Sequence, residues 1–250
     1  MVMTGPALAE PVTVKLAYAD IEVFPNQLGG SADIPAAPGI AVEILQRGFA
    51  EAGIGLQLVR LPNRRVLDSV KIGEVDGAFL FSFNTERNRY AAYPQKNGAI
   101  DASRRLARQT YVIYKRADDG LGFDGHSFSN LQTAIAANSG FSVTDDLKRL
   151  GVPVTEVETT PLAFGMLQAG RVDGYAVMDD TGDPYLRGAG ITSITKLPVP
   201  ISSKDYYLIF GRAFQAADPA FVERIWDQLT ATRAALQTAL DRKYLGIPPS

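Results

Sequence analysis

Apolar residues recur at helical spacing in "GIAVEILQRGFAEAG", where Val42, Leu45, Phe49 and Ala52 share one predicted face. The segment before it, Val14 to Ala19, reads as a strand. After it, Leu56, Leu58 and Leu61 mark an alternating strand, a Pro follows, and Val66, Leu67 and Val70 fall at helical spacing. Gly73 then stands where a helix C-cap needs a left-handed residue. Val75 and Asp76 lead into a buried strand, Ala78 to Phe81. The same order returns further on. Val154 and Val157 mark a strand, a Pro follows, and Leu162, Met166 and Leu167 predict a helix closed by Gly170. Val172 and Asp173 lead into Tyr175 to Met178. "GEVDGAF" and "GRVDGYA" are thus the same turn in two copies of a strand–helix–strand unit. Parallel strands joined by a helix require a sheet covered on both faces. The pattern predicts an α/β protein of two similar lobes, each with one such unit at its centre, and Asp76 and Asp173 as structural turn residues.

The remaining segments fit that plan. "QTYVIYKR" and "DYYLIFGR" read as strands, "QTAIAANSG" as a short strand ending in a turn, and "SVTDDLKRLG" as a helix starting at Ser142 or Val143. A long helix is predicted from Asp218, which can cap it, with Pro219 in its first turn. Its buried stripe would be Phe221, Ile225, Leu229, Leu236 and Leu240.

The chain has 250 residues, enough for two modest cores, and 46% hydrophobic with 21% charged residues is ordinary for a globular protein. A formal net charge of -2 without a basic block gives no support to a nucleic-acid partner. No apolar run approaches the roughly 18 residues of a membrane span. The absence of cysteine excludes disulfides and thiolate chemistry. The one histidine, His126, lies in the loop-like "DGHSFS", so no His-based metal site is expected, and no cofactor. At the N-terminus, Ala7-Leu8-Ala9 has the A-x-A form of an export-signal cleavage site, without the charged and apolar regions that precede one. Residues 1–11 are read as a residual export signal or a disordered start, and the chain as periplasmic.

The order of these pieces resembles the periplasmic solute-binding proteins of bacterial ABC importers, in the class that takes up polar amino acids. "PGIAVEIL" resembles the family's Gly-Phe-Asp-Val-Asp-Leu helix entry, with Glu43 for the second Asp. "SVKIGEVDGAF" resembles its Leu-x-x-Gly-x-x-Asp turn, and "TERNRYAAYP" its Thr-Pro-Glu-Arg segment, with Arg87 and Tyr93 at the family's spacing. "NSGFSVTDDL" resembles the Gly-Ser-Thr turn and "AGRVDGYAVMD" the Gly-Arg-x-Asp strand of the second lobe. The resemblance, from about Val12 to Gly246, implies a type II periplasmic-binding-protein fold with two lobes joined by two hinge strands. Residues 12–107 plus 204–250 would form lobe 1 and 108–203 lobe 2, with crossovers at "SRRLARQT" and "PVPISSKD".

Ligands of open α/β sheets sit beyond the carboxyl ends of the strands. That rule selects Asp20, Glu22 and Phe24 after the first strand, and Ser82, Asn84 and Arg87 after the Ala78 strand. In the second lobe it selects Ser139 to Ser142, with Asp179 and Asp180. A guanidinium grips a carboxylate through two parallel hydrogen bonds, and the resemblance gives Arg87 the ligand's α-carboxylate. Only Glu86 separates Thr85 from Arg87, one residue fewer than in the family. Ser142 and the backbone from Gly140 to Val143 form a second candidate anion site, where free N–H groups open a helix; Ser142 or Thr144 would also cap it. Asp179 is the candidate partner for an α-amino group. Direct count puts Met178 on the family position, so either a bulge restores Asp179 or the ammonium site is absent. Phe24 and Tyr18 are aromatic walls or core residues, and Arg65 contacts an acidic ligand or is solvated.

The leading reading is therefore a non-enzymatic, monomeric binding protein. It would deliver an amino acid or related carboxylate to a membrane permease. Two alternatives stand beside it. One is a dehydratase-like enzyme on the same fold, for which Glu22, Asp179 or Glu156 would be the acid. The other is the ligand-binding component of a signalling system. The chain closes soon after its last predicted helix, so no appended lytic domain is expected.

Overall fold

The computed structural model describes residues 12–246; the Ala7-Leu8-Ala9 pattern lies outside the described residues. In chain order, β1 (Thr13–Ala19), α1 (Ile40–Glu51), β2 (Gly55–Leu61), α2 (Asn63–Ile72) and β3 (Gly77–Ser82) come first. Short strands β4 (Ala91–Ala92), β5 (Gln95–Lys96) and β6 (Ala99–Ile100) precede the long β7 (Ala107–Arg116). A hairpin of β8 (Gly122–Phe123) and β9 (Phe128–Ser129) has exposed His126 in its turn. There follow β10 (Ile135–Asn138), α3 (Val143–Arg149), β11 (Val154–Val157), α4 (Thr160–Gln168), β12 (Gly174–Met178) and α5 (Asp179–Gly188). The chain closes with β13 (Ile194–Lys196), β14 (Ser202–Gly211), α6 (Arg212–Ala217) and α7 (Pro219–Leu245).

Two compact units result. Among the described residues, the first comprises 12–22, Gln27–Leu106 and 207–246. The second comprises Val23–Asn26 and Ala107–Tyr206. The first unit orders its strands β2-β1-β3 beside the end of β14; the second orders them β11-β10-β12 beside β7. In each, the central strand is parallel to both neighbours.

The repeated "VDG" turn has the same job in both units. Asp76 accepts from the Lys15 N–H at 2.7 Å while its own N–H donates to the Lys15 carbonyl at 2.9 Å. Asp173 accepts from the Gln132 and Thr133 N–H groups at 2.5 and 2.6 Å while its N–H donates to the Ala134 carbonyl at 2.9 Å. Each aspartate ties the entry of one strand to the neighbouring central strand. The glycine that follows is set by close approach: a Cβ on Gly77 would lie 2.3 Å from the Ile209 carbonyl oxygen, and one on Gly174 2.8 Å from Ile135 Cδ1. Gly73 and Gly170 take the left-handed conformation that ends each helix, at φ 76° and 67°.

The first unit's main core packs α1 and α7 on one face of its sheet. It joins Leu16, Tyr18, Val42, Leu45 and Phe49 to Ile225, Trp226 and Leu229, with Trp226 Nε1 donating to the Leu208 carbonyl at 2.9 Å. Val66, Val70 and Ala78 form the core of the other face. Asp218 accepts from the Phe221 N–H at 2.9 Å and so caps α7. Three expectations change. Leu162 is 51% exposed, because α4 buries Ala163, Phe164 and Leu167 instead. Ala52 is the exposed C-cap of α1 rather than part of its stripe. The sequence reading placed no element at "DDTGDPYLRG", which forms the helix α5 with Pro184 inside it.

Candidate functional site

In each unit the parallel strands end on one edge of the sheet, and the candidate residues gather there. Near the first unit's edge, β3 contains Leu80, a non-glycine residue at φ 63°. A side chain in that region costs of order 1–3 kcal/mol and persists only where its surroundings over-determine it. Beyond it, Ser82, Asn84 and Arg87 form one hydrogen-bonded loop. Asn84 Oδ1 accepts from the Glu86 and Arg87 N–H groups at 2.9 and 3.1 Å, so this candidate folds the loop that leads into the single helical turn at Arg87–Arg89. Arg87 Nη1 donates to the Ser82 carbonyl at 2.5 Å and to Tyr93 Oη at 3.1 Å. Tyr93 Oη donates to the same carbonyl at 2.7 Å. Burial, opposed by the Arg87 charge, pushes the Tyr93 hydroxyl up to about 12, so it stays a donor. The guanidinium lies over the Phe81 ring, 5.1 Å from its centroid, and Arg87 Nε is buried without a partner among the described residues. The spacing from Arg87 to Tyr93 thus records a direct contact that aims the guanidinium.

Asp20 lies at the same edge, half-buried, its N–H donating to the Leu61 carbonyl at 2.9 Å. Arg65 is exposed in the first turn of α2, which follows β2. Sequence reasoning missed Arg60. It is buried on β2, stacked over Tyr18, and its guanidinium donates to the carbonyls of Leu28, Gly29 and Asp33. With Gln27, whose Nε2 donates to the Ala19 and Ile21 carbonyls at 3.1 and 2.5 Å, it pins the long loop after β1. Tyr18 is 1% exposed and belongs to the core.

At the second unit's edge, Gly140 turns the chain after β10 at φ 75°. Ser142 does not cap α3 with its side chain. Its hydroxyl pairs with Tyr206 Oη at 2.9 Å and accepts from Lys204 Nζ at 3.1 Å, and its carbonyl accepts from the same ammonium at 3.0 Å. Tyr206 continues to Tyr111 Oη at 3.0 Å, and Lys204 also pairs with Asp146. The Phe141 and Thr144 N–H groups close local turns, and those of Gly140 and Ser142 have no protein acceptor among the described residues. A lysine on β14 therefore lies against the candidate anion site. Nothing in its sequence spacing pointed there, since it comes from a strand far along the chain.

Asp179 opens α5 directly after β12, and its Oδ1 accepts from the Asp180 N–H at 2.9 Å. Met178, on the position that direct count favours, is 1% exposed. Phe24 belongs to the second unit, its carbonyl accepting from Thr181 Oγ1 at 2.9 Å. Burial, then the Asp179 charge beside it, pushes the Asp180 carboxyl up to about 7; its Oδ1 is buried without a partner among the described residues. Asp183 accepts from Tyr114 Oη at 2.7 Å and pairs with Lys196 at 2.5 Å. Among the described residues no group of acidic or histidine side chains is arranged to hold a metal ion, and no helix is long and apolar enough to cross a membrane.

No family model and no curated protein matches the sequence. Solved structures do match. The glutamate-bound ligand-binding core of GluR0 from Nostoc punctiforme aligns over 95% of this chain and 100% of its own, at 15% identity and TM-score 0.71. The arginine-, lysine-, histidine-binding protein ArtJ from Geobacillus stearothermophilus aligns over 96% and 97%, at 17% identity and TM-score 0.71. A histidine kinase sensor domain with similarity to periplasmic binding proteins aligns over 96% and 98%, at 20% identity and TM-score 0.70. These are binding domains, and at such identities the likeness carries the architecture rather than the ligand. The doubled β2-β1-β3 order, the strand β14 that begins in the second unit and ends in the first, and these alignments together give the chain a type II periplasmic-binding-protein fold, of the kind found in amino-acid-binding proteins.

Proposed function

We propose that the protein is an exported, monomeric solute-binding protein. It captures a small carboxylate-bearing solute, an amino acid or a relative, and presents it to the permease of an ABC importer. The observation that carries this reading is Arg87. Its Nη1 is fixed by the Ser82 carbonyl and Tyr93 while the guanidinium rests on Phe81, so the group is pre-aimed at the strand-end edge. Pre-organisation of that kind lowers the entropy lost on gripping a carboxylate. In this reading the two units are the two lobes, β7 and β14 are the hinge, and closure draws on contacts that the ligand makes with both, since only differential contact shifts an open–closed equilibrium. Gly140, Ser142 and Asp179 supply the second lobe's part, and Asp20, Ser82, Asn84, Arg65 and Phe24 line the rest. A thermal-shift screen over amino acids, small carboxylates and polyamines tests the proposal. A carboxylate-bearing hit supports it, and stabilisation by polyamines alone refutes it.

A second reading has a specific observation behind it: GluR0 and a kinase sensor domain are among the structures that match. In that case the liganded protein docks on a receptor. Affinity capture by the permease or by a receptor of the same cell, with and without ligand, separates the two.

A further inference from the structure

Phe83 is 43% exposed on the loop just beyond β3, beside the arginine discussed above. The neighbouring rings do other work: Phe81 lies beneath the Arg87 guanidinium, and Tyr93 is buried. Single exposed apolar residues are ordinary on a protein surface. Phe83 differs because it is built into the framework that aims Arg87. Its ring meets the Tyr93 ring at a centroid distance of 5.4 Å and an interplanar angle of 76°. Tyr93 in turn shares the Ser82 carbonyl with Arg87 and accepts from Arg87 Nη1. Leu80, at φ 63°, lies just upstream of all three, and the Asn84 side chain accepts from two backbone N–H groups just downstream. The exposed ring and the guanidinium are therefore both in contact with Tyr93.

From this frame we infer that Phe83 is a specificity-determining residue, and that the favoured solute is a carboxylate carrying a flat aromatic ring. The carboxylate pairs with Arg87 and the solute's ring packs on Phe83. An offset-stacked or edge-to-face ring pair contributes beyond its buried area, enough for about a two- to tenfold preference. The inference rests on the solute-binding reading, and its test separates the two.

Calorimetry on the full chain uses matched probes: L-phenylalanine against L-glutamine, and phenylacetate against butyrate. L-arginine serves as a planar cation. Wild type is expected to bind each ring-bearing probe at least about twofold more tightly than its partner. Phe83→Ala should erase that preference, ring-bearing probes losing more affinity than their ringless partners, Phe83→Tyr should keep it, and Arg87→Ala should weaken all carboxylates together. Melting curves check that both Phe83 variants fold, which their exposed position favours. Equal binding of ring-bearing and ringless probes by wild type overturns the inference while leaving carboxylate binding intact. So does a preference that survives Phe83→Ala, or a dependence on Phe83 seen with L-arginine only. Phe83-dependent binding that Arg87→Ala does not weaken refutes the carboxylate reading instead. Failure of every ring-bearing probe to bind at millimolar concentration also overturns the ring assignment.

Discussion

The two strand–helix–strand units share a turn, a strand order and an aspartate tie, yet they part where their third strands end. After β3 the chain enters a short polar loop that holds Arg87 against Ser82, Tyr93 and Phe81. After β12 it runs straight into α5, whose first turn is acidic and carries the buried Asp180. The conserved geometry of the turn is a matter of folding: it joins the ends of neighbouring strands and brings backbone close to backbone. The divergence lies on the carboxyl edge of each sheet, where the proposed ligand would sit. A duplicated frame with unlike rims gives each unit its own chemistry without disturbing its core.

The tightest point of the comparison is the glycine after each aspartate. A Cβ at Gly77 would meet a backbone oxygen at 2.3 Å, which cannot swing away, whereas at Gly174 the obstacles are the side-chain ends Ile135 Cδ1 at 2.8 Å and Ile113 Cγ2 at 2.9 Å. Gly77→Ala should therefore cost about 3 kcal/mol or more and Gly174→Ala about 1–2 kcal/mol in denaturant unfolding. Equal costs would show that the two turns are strained alike.

The aspartates should differ in the opposite sense. Asp173 accepts two backbone N–H groups and Asp76 one. Asp173→Ala is expected to cost about 2–3 kcal/mol and Asp76→Ala about 1–2 kcal/mol. At Asp173 burial works to raise the carboxyl, but the Thr133 and Gln132 N–H groups outweigh it and the net shift is downward. A lowered folded pKa gives stability that is present above the ordinary carboxylate range and is lost as pH falls through the folded value. The gap between Asp173→Ala and wild type should accordingly narrow in acid.

Asp180 has the reverse sign. Its folded value, about 7, lies above its ordinary value of 3.8, so the folded state holds a proton that the unfolded chain releases. Its contribution is fully present below pH 3.8 and is lost as pH rises toward 7. Asp180→Asn should therefore be more stable than wild type at pH 8, by a few kcal/mol, and nearly equal to it at pH 4. A constant difference across pH would mean that the carboxyl is ionised throughout.

Much of the frame was legible in the sequence because repetition doubles every local signal. Leu56 and Leu58 pack on one core while Leu61, at the opposite parity, packs on the other, as a period of two requires. The Asp218 cap was equally plain, and of the expected α7 stripe Ile225, Leu229 and Leu240 are buried while Phe221 and Leu236 are half-buried. The misses share a physical cause. Leu162 looked apolar enough to be buried, but Thr159 caps α4 and fixes a phase that turns Leu162 outward. The helix α5 carries Gly182, where a Cβ would lie 2.4 Å from the Tyr114 ring, and that demand for a small residue imitates a turn signal. Lys204 and Arg60 act across tertiary contacts to Ser142 and to the loop after β1, which no local spacing encodes. For Arg87 the sequence showed the residue and its interval to Tyr93; the shared Ser82 carbonyl that gives the interval meaning came only with the fold.

The central claim is that Arg87 holds a ligand carboxylate. Its most direct test is calorimetric titration of wild type, Arg87→Ala and Arg89→Ala with the tightest carboxylate from the thermal screen, after melting curves show that all three are folded. Losing one partner of a desolvated charge pair typically costs about 2–5 kcal/mol, so Arg87→Ala should weaken binding by roughly 30-fold or more. Arg89, exposed two residues on, should be dispensable to within about twofold. Wild-type affinity in Arg87→Ala would contradict the account and place the carboxylate elsewhere.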